Sequence, residues 1–217
     1  MRVDVAAIAH FDPLCGDRLR TWLRTQLNSQ SSPPAFVAVE WDKDMFTKVK
    51  SQRPVVRSLA ASRWPQATDE FLNALEAAVA FEADTHVPLI PHVPTVWLDQ
   101  DRALPYPDAI ETYAVDRITV YASYIPPSTT RFDSSLLHAM SLEAWNRLGP
   151  RQEGGTERDP GFAEAIAKHL TSHAPAWSIA IVGANHASRD AGYMVQRLEA
   201  AGISCEVSQL RPHLDAA

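Results

Sequence analysis

Residues 177–210 read WSIAIVGANHASRDAGYMVQRLEAAGISCEVSQL, and this stretch decides the fold class. Trp177 to Val182 is an apolar run of strand length, Gly183 to His186 is a tight turn, and Ser188 to Ala201 has helical spacing. Ala191, Met194, Val195 and Leu198 fall on one face of that helix, and Gly202 suits the left-handed residue that closes it. Ile203 to Leu210 then reads as a further strand. Strand, helix and strand joined by short links form a βαβ unit, which implies a parallel pair with a right-handed crossover.

Outward from this unit the pattern recurs. Val3 to Ala9 is a short apolar strand ending at His10, and the helix after it carries Leu19, Trp22, Leu23 and Leu27 on one face. Ser29 to Pro34 breaks that helix, and Phe36 to Val39 is a second strand ending at Glu40. A third short strand, Thr95 to Leu98, ends at Asp99. The middle is mostly helical. Thr68 caps a helix with Phe71, Leu72, Leu75 and Val79 inward, and Asp133 or Ser134 caps another with Leu137, Met140, Ala144, Trp145 and Leu148 inward and Gly149 at its end. Asp159 and Pro160 form an N-cap and first-turn pair for a helix reaching Leu170. Residues 100–132 are rich in Pro and Tyr and read as an inserted lid or edge segment, with Arg117 to Ile125 either an edge strand or part of a helix. The expectation is a single α/β domain over residues 1–217. It has a central, mostly parallel or mixed sheet, helices on both faces and a helical middle region.

Composition removes several function classes. A 217-residue chain that is 46% hydrophobic builds a sizeable core without disulfides or structural metals. Cys15 and Cys205 have no metal-type spacing and read as reduced thiols. A formal charge of −6 with interspersed signs carries no nucleic-acid footprint. With no signal-peptide pattern and no apolar run near the ~20 residues of a membrane span, a cytoplasmic protein without a membrane partner is expected. There is no Gly-x-Ser-x-Gly elbow, no Gly-Lys-Ser phosphate loop and no Gly-x-Gly-x-x-Gly fingerprint.

In an open α/β sheet, ligands collect outside the carboxyl ends of the strands. His10, Glu40, Asp99 and His186 stand at or just after those ends, so parallel neighbours would bring them together. Two imidazoles and a carboxylate are the ligand types for zinc, manganese or a similar divalent ion. The same trio serves a metal-free hydrolase in which His or Glu activates water. Plainer roles stand beside these: a polar strand terminus for His10, a cap on a helix starting near Asp42 for Glu40, a turn brace for His186, and a surface turn for Asp99-Gln100-Asp101. His169 and His173, four apart at a helix C-terminus, read as partners of the helix dipole. His86 and His92 flank a connector that fixes no geometry.

Gly183-Ala184-Asn185-His186 after an apolar strand, with Gly202-Ile203 beyond the next helix, resembles the second Gly-x-x-His motif of one superfamily. It is the group uniting TraB/PrgY-like proteins, the Tiki metalloproteases, the ChaN-type haem-binding lipoproteins and the erythromycin esterases. Glu157-Arg158-Asp159 is similar to the Glu-Arg segment before that motif, and Val37-Ala38-Val39-Glu40 to a strand ending in a functional glutamate. Ala7-Ile8-Ala9-His10 resembles the first Gly-x-x-His motif with alanine in the glycine's place, and no arginine follows Glu40. The resemblance implies a hydrolase of peptide or ester bonds acting on a small-molecule or peptide substrate. His10, Glu40 and His186 would bind manganese, cobalt or zinc or activate water directly, with Arg158 stabilising negative charge. Arg158 would bind a substrate carboxylate or phosphate, or pair with Glu40; its plainer role is an exposed first-turn residue. The alternative is a non-catalytic small-ligand or metal-binding protein, which Ala7 and the absent arginine favour. A third reading is a docking or self-associating domain using Tyr106, Tyr113, Tyr121 and Tyr124.

Overall fold

The first strand, β1 (Arg2–Ile8), buries apolar residues on both faces: Val3, Val5 and Ala7 turn one way, Ala6 and Ile8 the other, the latter face also carrying the buried Asp4. Such a strand needs cover on both faces. The computed structural model describes residues 1–44, 47, 53–99, 110–131, 133–148, 153–171 and 177–212. In it, β1 is joined by β2 (Val37–Val39), β3 (Thr95–Trp97), β4 (Trp177–Gly183) and β5 (Ser204–Gln209). The sheet order is β3-β2-β4-β1-β5 and every pairing is parallel. The fold is therefore α/β with a parallel sheet. The two C-terminal strands run parallel as a βαβ unit requires, but they are not neighbours: β1 lies between them.

The described helices are α1 (Cys15–Ser29), α2 (Arg53–Arg63), α3 (Asp69–Leu89), α4 (Ile110–Ala122), α5 (Ser134–Asn146), α6 (Asp159–Thr171) and α7 (Met194–Ala200). Alternation along the strands divides them into layers. Val3, Val5, Ala7, Ala38, Ala180 and Val182 pack against Phe162, Ile166 and Leu170 of α6 and Met194, Val195 and Leu198 of α7. Ala6, Ile8, Val37, Val39, Ile179 and Ile181 pack against Cys15, Leu19 and Leu23 of α1, with Trp22 and Leu27 alongside. A third cluster joins α2 to α5 through Trp64, Phe71, Leu75, Ile118, Tyr121 and Met140. Thr68 Oγ accepts from Phe71 N at 3.3 Å, and Asp133 from Leu136 N at 2.7 Å, so both expected caps are made. No helix among the described residues is long and apolar enough to cross a membrane.

One open choice is settled, and one element differs from the sequence reading. Arg117 to Ala122 lies in α4, because Ile118, Tyr121 and Ile125 turn one helical face into the third cluster, which an edge strand would split. The last helix starts at Met194 instead of Ser188. Ser188 Oγ donates to Asp190 and accepts from its backbone N–H, and Gly192 has φ 91°. A positive φ there stops a helix from running through. Tyr121 is a core residue and so no part of a docking surface, while the half-buried Tyr124 ring packs edge-on to it at 6.1 Å. The expectations resting on Gln100, Asp101, Tyr106, Gly149 and His173, and on the side chains of Val79, His86 and Tyr113, lie outside the described residues.

Asp12 ties the layers together just beyond His10. It is fully buried; Oδ1 accepts from Leu14 N at 2.9 Å, and Oδ2 from Trp145 Nε1 at 2.8 Å and from Arg18. Arg18 also donates to Leu210 O at 2.8 Å and Ser141 Oγ at 2.9 Å. Asp12→Ala leaves a cation and an indole N–H without their acceptor, so we expect a loss of about 3–5 kcal/mol in urea unfolding. Asp12→Asn keeps an acceptor and should lose clearly less; equal losses would show that the charge pair is unimportant.

Candidate functional site

Parallel register places four strand ends at one edge. Ile8 pairs with Gly183, Val39 with Ile181, and Val39 with Trp97. His10, Glu40, Asp99 and His186 follow these positions and converge as the sequence implied. Glu40 lies at the centre, its side chain only 7% exposed. Its Oε1 accepts from Arg158 Nη1 at 2.7 Å and faces His186 Nε2 at 3.3 Å. Its Oε2 accepts from Gly183 N and faces His10 Nε2 at 3.5 Å. Glu40 thus turns to the site and not to the chain after Asp42. A side chain at Gly183 would begin 3.0 Å from both Glu40 Oε2 and His10 Nε2, which accounts for glycine there. Ala7 needs no such freedom: it sits in regular strand opposite Val182, buried in the core.

Each inner cation is backed by a buried aspartate. Asp99 accepts from Arg158 Nε at 3.0 Å and from Nη2, and its side chain is 2% exposed, so it is no surface turn. The Arg158 guanidinium lies 4.9 Å from the Phe162 ring centre. Of the roles open to Arg158, pairing with Glu40 is the one seen. Asp159 is fully buried at the first residue of α6. Instead of capping that helix it accepts from His186 Nδ1 at 3.0 Å, Met194 N at 2.9 Å and Thr156 N at 2.6 Å. Sequence reasoning missed this role, because an Asp-Pro pair at a helix start has a sufficient local explanation. The loops on either side are fitted by backbone: Gly154, Gly155 and Gly192 all have positive φ, and a side chain at Gly155 or Gly192 would collide with the other loop.

Electrostatics follow from this nesting. Burial alone would raise the Glu40 carboxyl, but His10 and His186 outweigh it and hold the group well below its ordinary range. Burial alone would lower His186, yet Asp159 and Glu40 push it up to about 9. For Arg158, burial is again outweighed, by Glu40 and Asp99, and the guanidinium is held more firmly charged. Asp159 is lowered against its own burial by His186 and Thr156.

The expected metal ligands His10, Glu40 and His186 do meet, but the set fits a metal poorly as it stands. Among the described residues no group of three or more His, Cys, Asp or Glu is arranged to hold an ion. The Glu40 oxygen facing His186 is the one bound by Arg158. His169 is placed by its Nδ1 contact with Ala165 O at 2.8 Å and its edge contact with Phe36, in keeping with a structural role. A cleft of about 590 Å³ runs between β3 and α6, lined by Trp97, Arg158, Phe162, Glu164 and Lys168 among others.

Because the His186 value is raised on folding, the stability it contributes is complete below its unfolded value and is lost as pH rises through about 9. In metal-free protein the His186 ring proton should titrate with a midpoint near 9 by NMR, assigned by its absence in His186→Gln. Asp159→Asn should lower that midpoint; a wild-type midpoint at or below the ordinary imidazole value would show that the two carboxylates do not hold the proton. Comparison of the chain with protein-family models, with curated proteins and with solved structures finds no match, so the reading of this site rests on its own residues.

Proposed function

We propose that the cluster hydrolyses a peptide or ester bond of a small-molecule or peptide substrate, with His10 as the proton carrier. The observation that carries this reading is the His10–Glu40 pair at 3.5 Å, in which the carboxylate is immobilised from behind while the imidazole is 27% exposed. A carboxylate held well below its ordinary range is a weak base but a firm anchor, and an anchored imidazole is the usual general base. His10 would take a proton from water as the water oxygen bonds to the carbonyl carbon. It would return that proton to the departing alkoxide or amine as the C–O or C–N bond breaks. Arg158, also 27% exposed, directs three of its five N–H donors to Glu40 and Asp99, and its charge favours the oxyanion that develops. Arg158 also lines the cleft beside β3, which offers room for the rest of a substrate.

The close pairing of Glu40 with Arg158 favours a second reading, a site that holds a small ligand without turning it over. Turnover on a panel of esters and short peptides separates the two. On the hydrolytic reading His10→Ala loses about 100-fold or more in kcat/KM with little change in melting temperature. Saturable binding without product would favour the binding reading, and turnover indifferent to His10→Ala would remove the proposed role.

A further inference from the structure

Two imidazoles beside a buried carboxylate lead one to expect a divalent ion, yet the geometry gives that place to a side chain. We infer that Arg158 is the built-in cation of this site. It occupies the face of Glu40 that a divalent ion would need, and the wild-type chain consequently binds no such ion tightly there.

The Arg158 Nη1 to Glu40 Oε1 distance of 2.7 Å is that of a full charge-assisted hydrogen bond. An ion bonded to the same oxygen at about 2 Å, and also to His186 Nε2, would have to share that oxygen with a guanidinium of like charge. Arg158 is not free to swing aside: Asp99 grips it through two nitrogens from a side chain 2% exposed, and the Phe162 ring lies against it. Its departure would strip the buried Asp99 of the guanidinium that holds it and leave Glu40 to Gly183 N and the two histidines. The other oxygen of Glu40 is closed on one side by Gly183 N.

Two of the remaining donor pairs are spaced as an ion would need, which makes the arginine the element to test. His10 Nε2 and His186 Nε2 stand 3.5 and 3.3 Å from the carboxylate oxygens. Two ligands sharing one tetrahedral ion at bond lengths of about 2 Å would be roughly that far apart. Asp159 on His186 Nδ1 is the outer carboxylate that commonly orients a metal-binding imidazole. With Arg158 removed, His10, Glu40 and His186 are the donors an ion would draw together.

The test is cobalt titration of untagged protein, followed by visible absorption and calorimetry, with folding checked by circular dichroism. Wild type should show no saturable binding below the millimolar range. Arg158→Met should bind one equivalent at least about 100-fold more tightly, with the absorption of four-coordinate cobalt. Methylguanidinium should compete that ion away, and adding His186→Ala should abolish its binding. Wild type binding one equivalent as tightly as the variant would overturn the inference, and so would a folded variant that binds no better than wild type. If Arg158→Met does not fold, Asp99→Asn, which loosens the arginine while leaving it in place, should still raise cobalt affinity above wild type; no rise overturns the inference. The proposal shares its site with the hydrolytic reading, but cobalt binding is read without turnover, so either can fail alone.

Discussion

A carboxylate taken out of water is tolerable only if other groups replace the water, and Glu40 is where this constraint organises the molecule. Its partners come from three separate segments: His10 after β1, Gly183 and His186 at the end of β4 and in the turn beyond it, and Arg158 at the entrance to α6. No local stretch of chain can assemble them. They meet because β1, β2 and β4 are parallel neighbours in register, so their ends open at one edge. The dependence runs both ways, since without Glu40 a buried histidine and a half-buried arginine would each keep only one anion.

The outer aspartates extend this logic. Asp99, Arg158, Glu40, His186 and Asp159 alternate in charge along a continuous line of contacts. Each cation is held from two sides, which fixes its direction more tightly than one partner would. Asp159 further binds backbone N–H groups of Thr156 and Met194, so the loop before α6 and the start of α7 are positioned by the same carboxylate. His10 differs: Glu40 supports it on the inner side, while Phe11 beside it lies under the buried guanidinium of Arg117 at 4.2 Å. The result is a rigid interior with one imidazole reaching the rim, the division of labour that preorganised sites use.

Much of this was legible in the sequence. Apolar runs ending in His10, Glu40 and Asp99 mark strands, and parallel strands share an edge, so the convergence of distant polar residues follows from pattern alone. Strand order does not. Both β1 and β4 bury apolar residues on both faces, and nothing local says that β1 lies between β4 and β5. The aspartates were hidden for a related reason. Asp99-Gln100-Asp101 has the composition of a surface turn, and Asp159-Pro160 that of a helix start, while their partners lie 59 and 27 residues away. The start of the last helix was obscured in the same way, since Gly192 lies against the distant backbone of Gly154, which leaves no room for a side chain.

The alternation of charge has a consequence for how a molecule finds this site. Two cations against three anions cancel all but one charge at a distance, so the cluster projects a single net negative charge into solvent, and that is screened within the Debye length of about 8 Å. Strong fields that gather charged ligands from afar need unbalanced charge at a cleft. Here the unbalanced charge is a single one, so recognition is mainly a short-range matter, decided by shape and hydrogen bonds after encounter, and capture rates set by this cluster should depend only weakly on ionic strength.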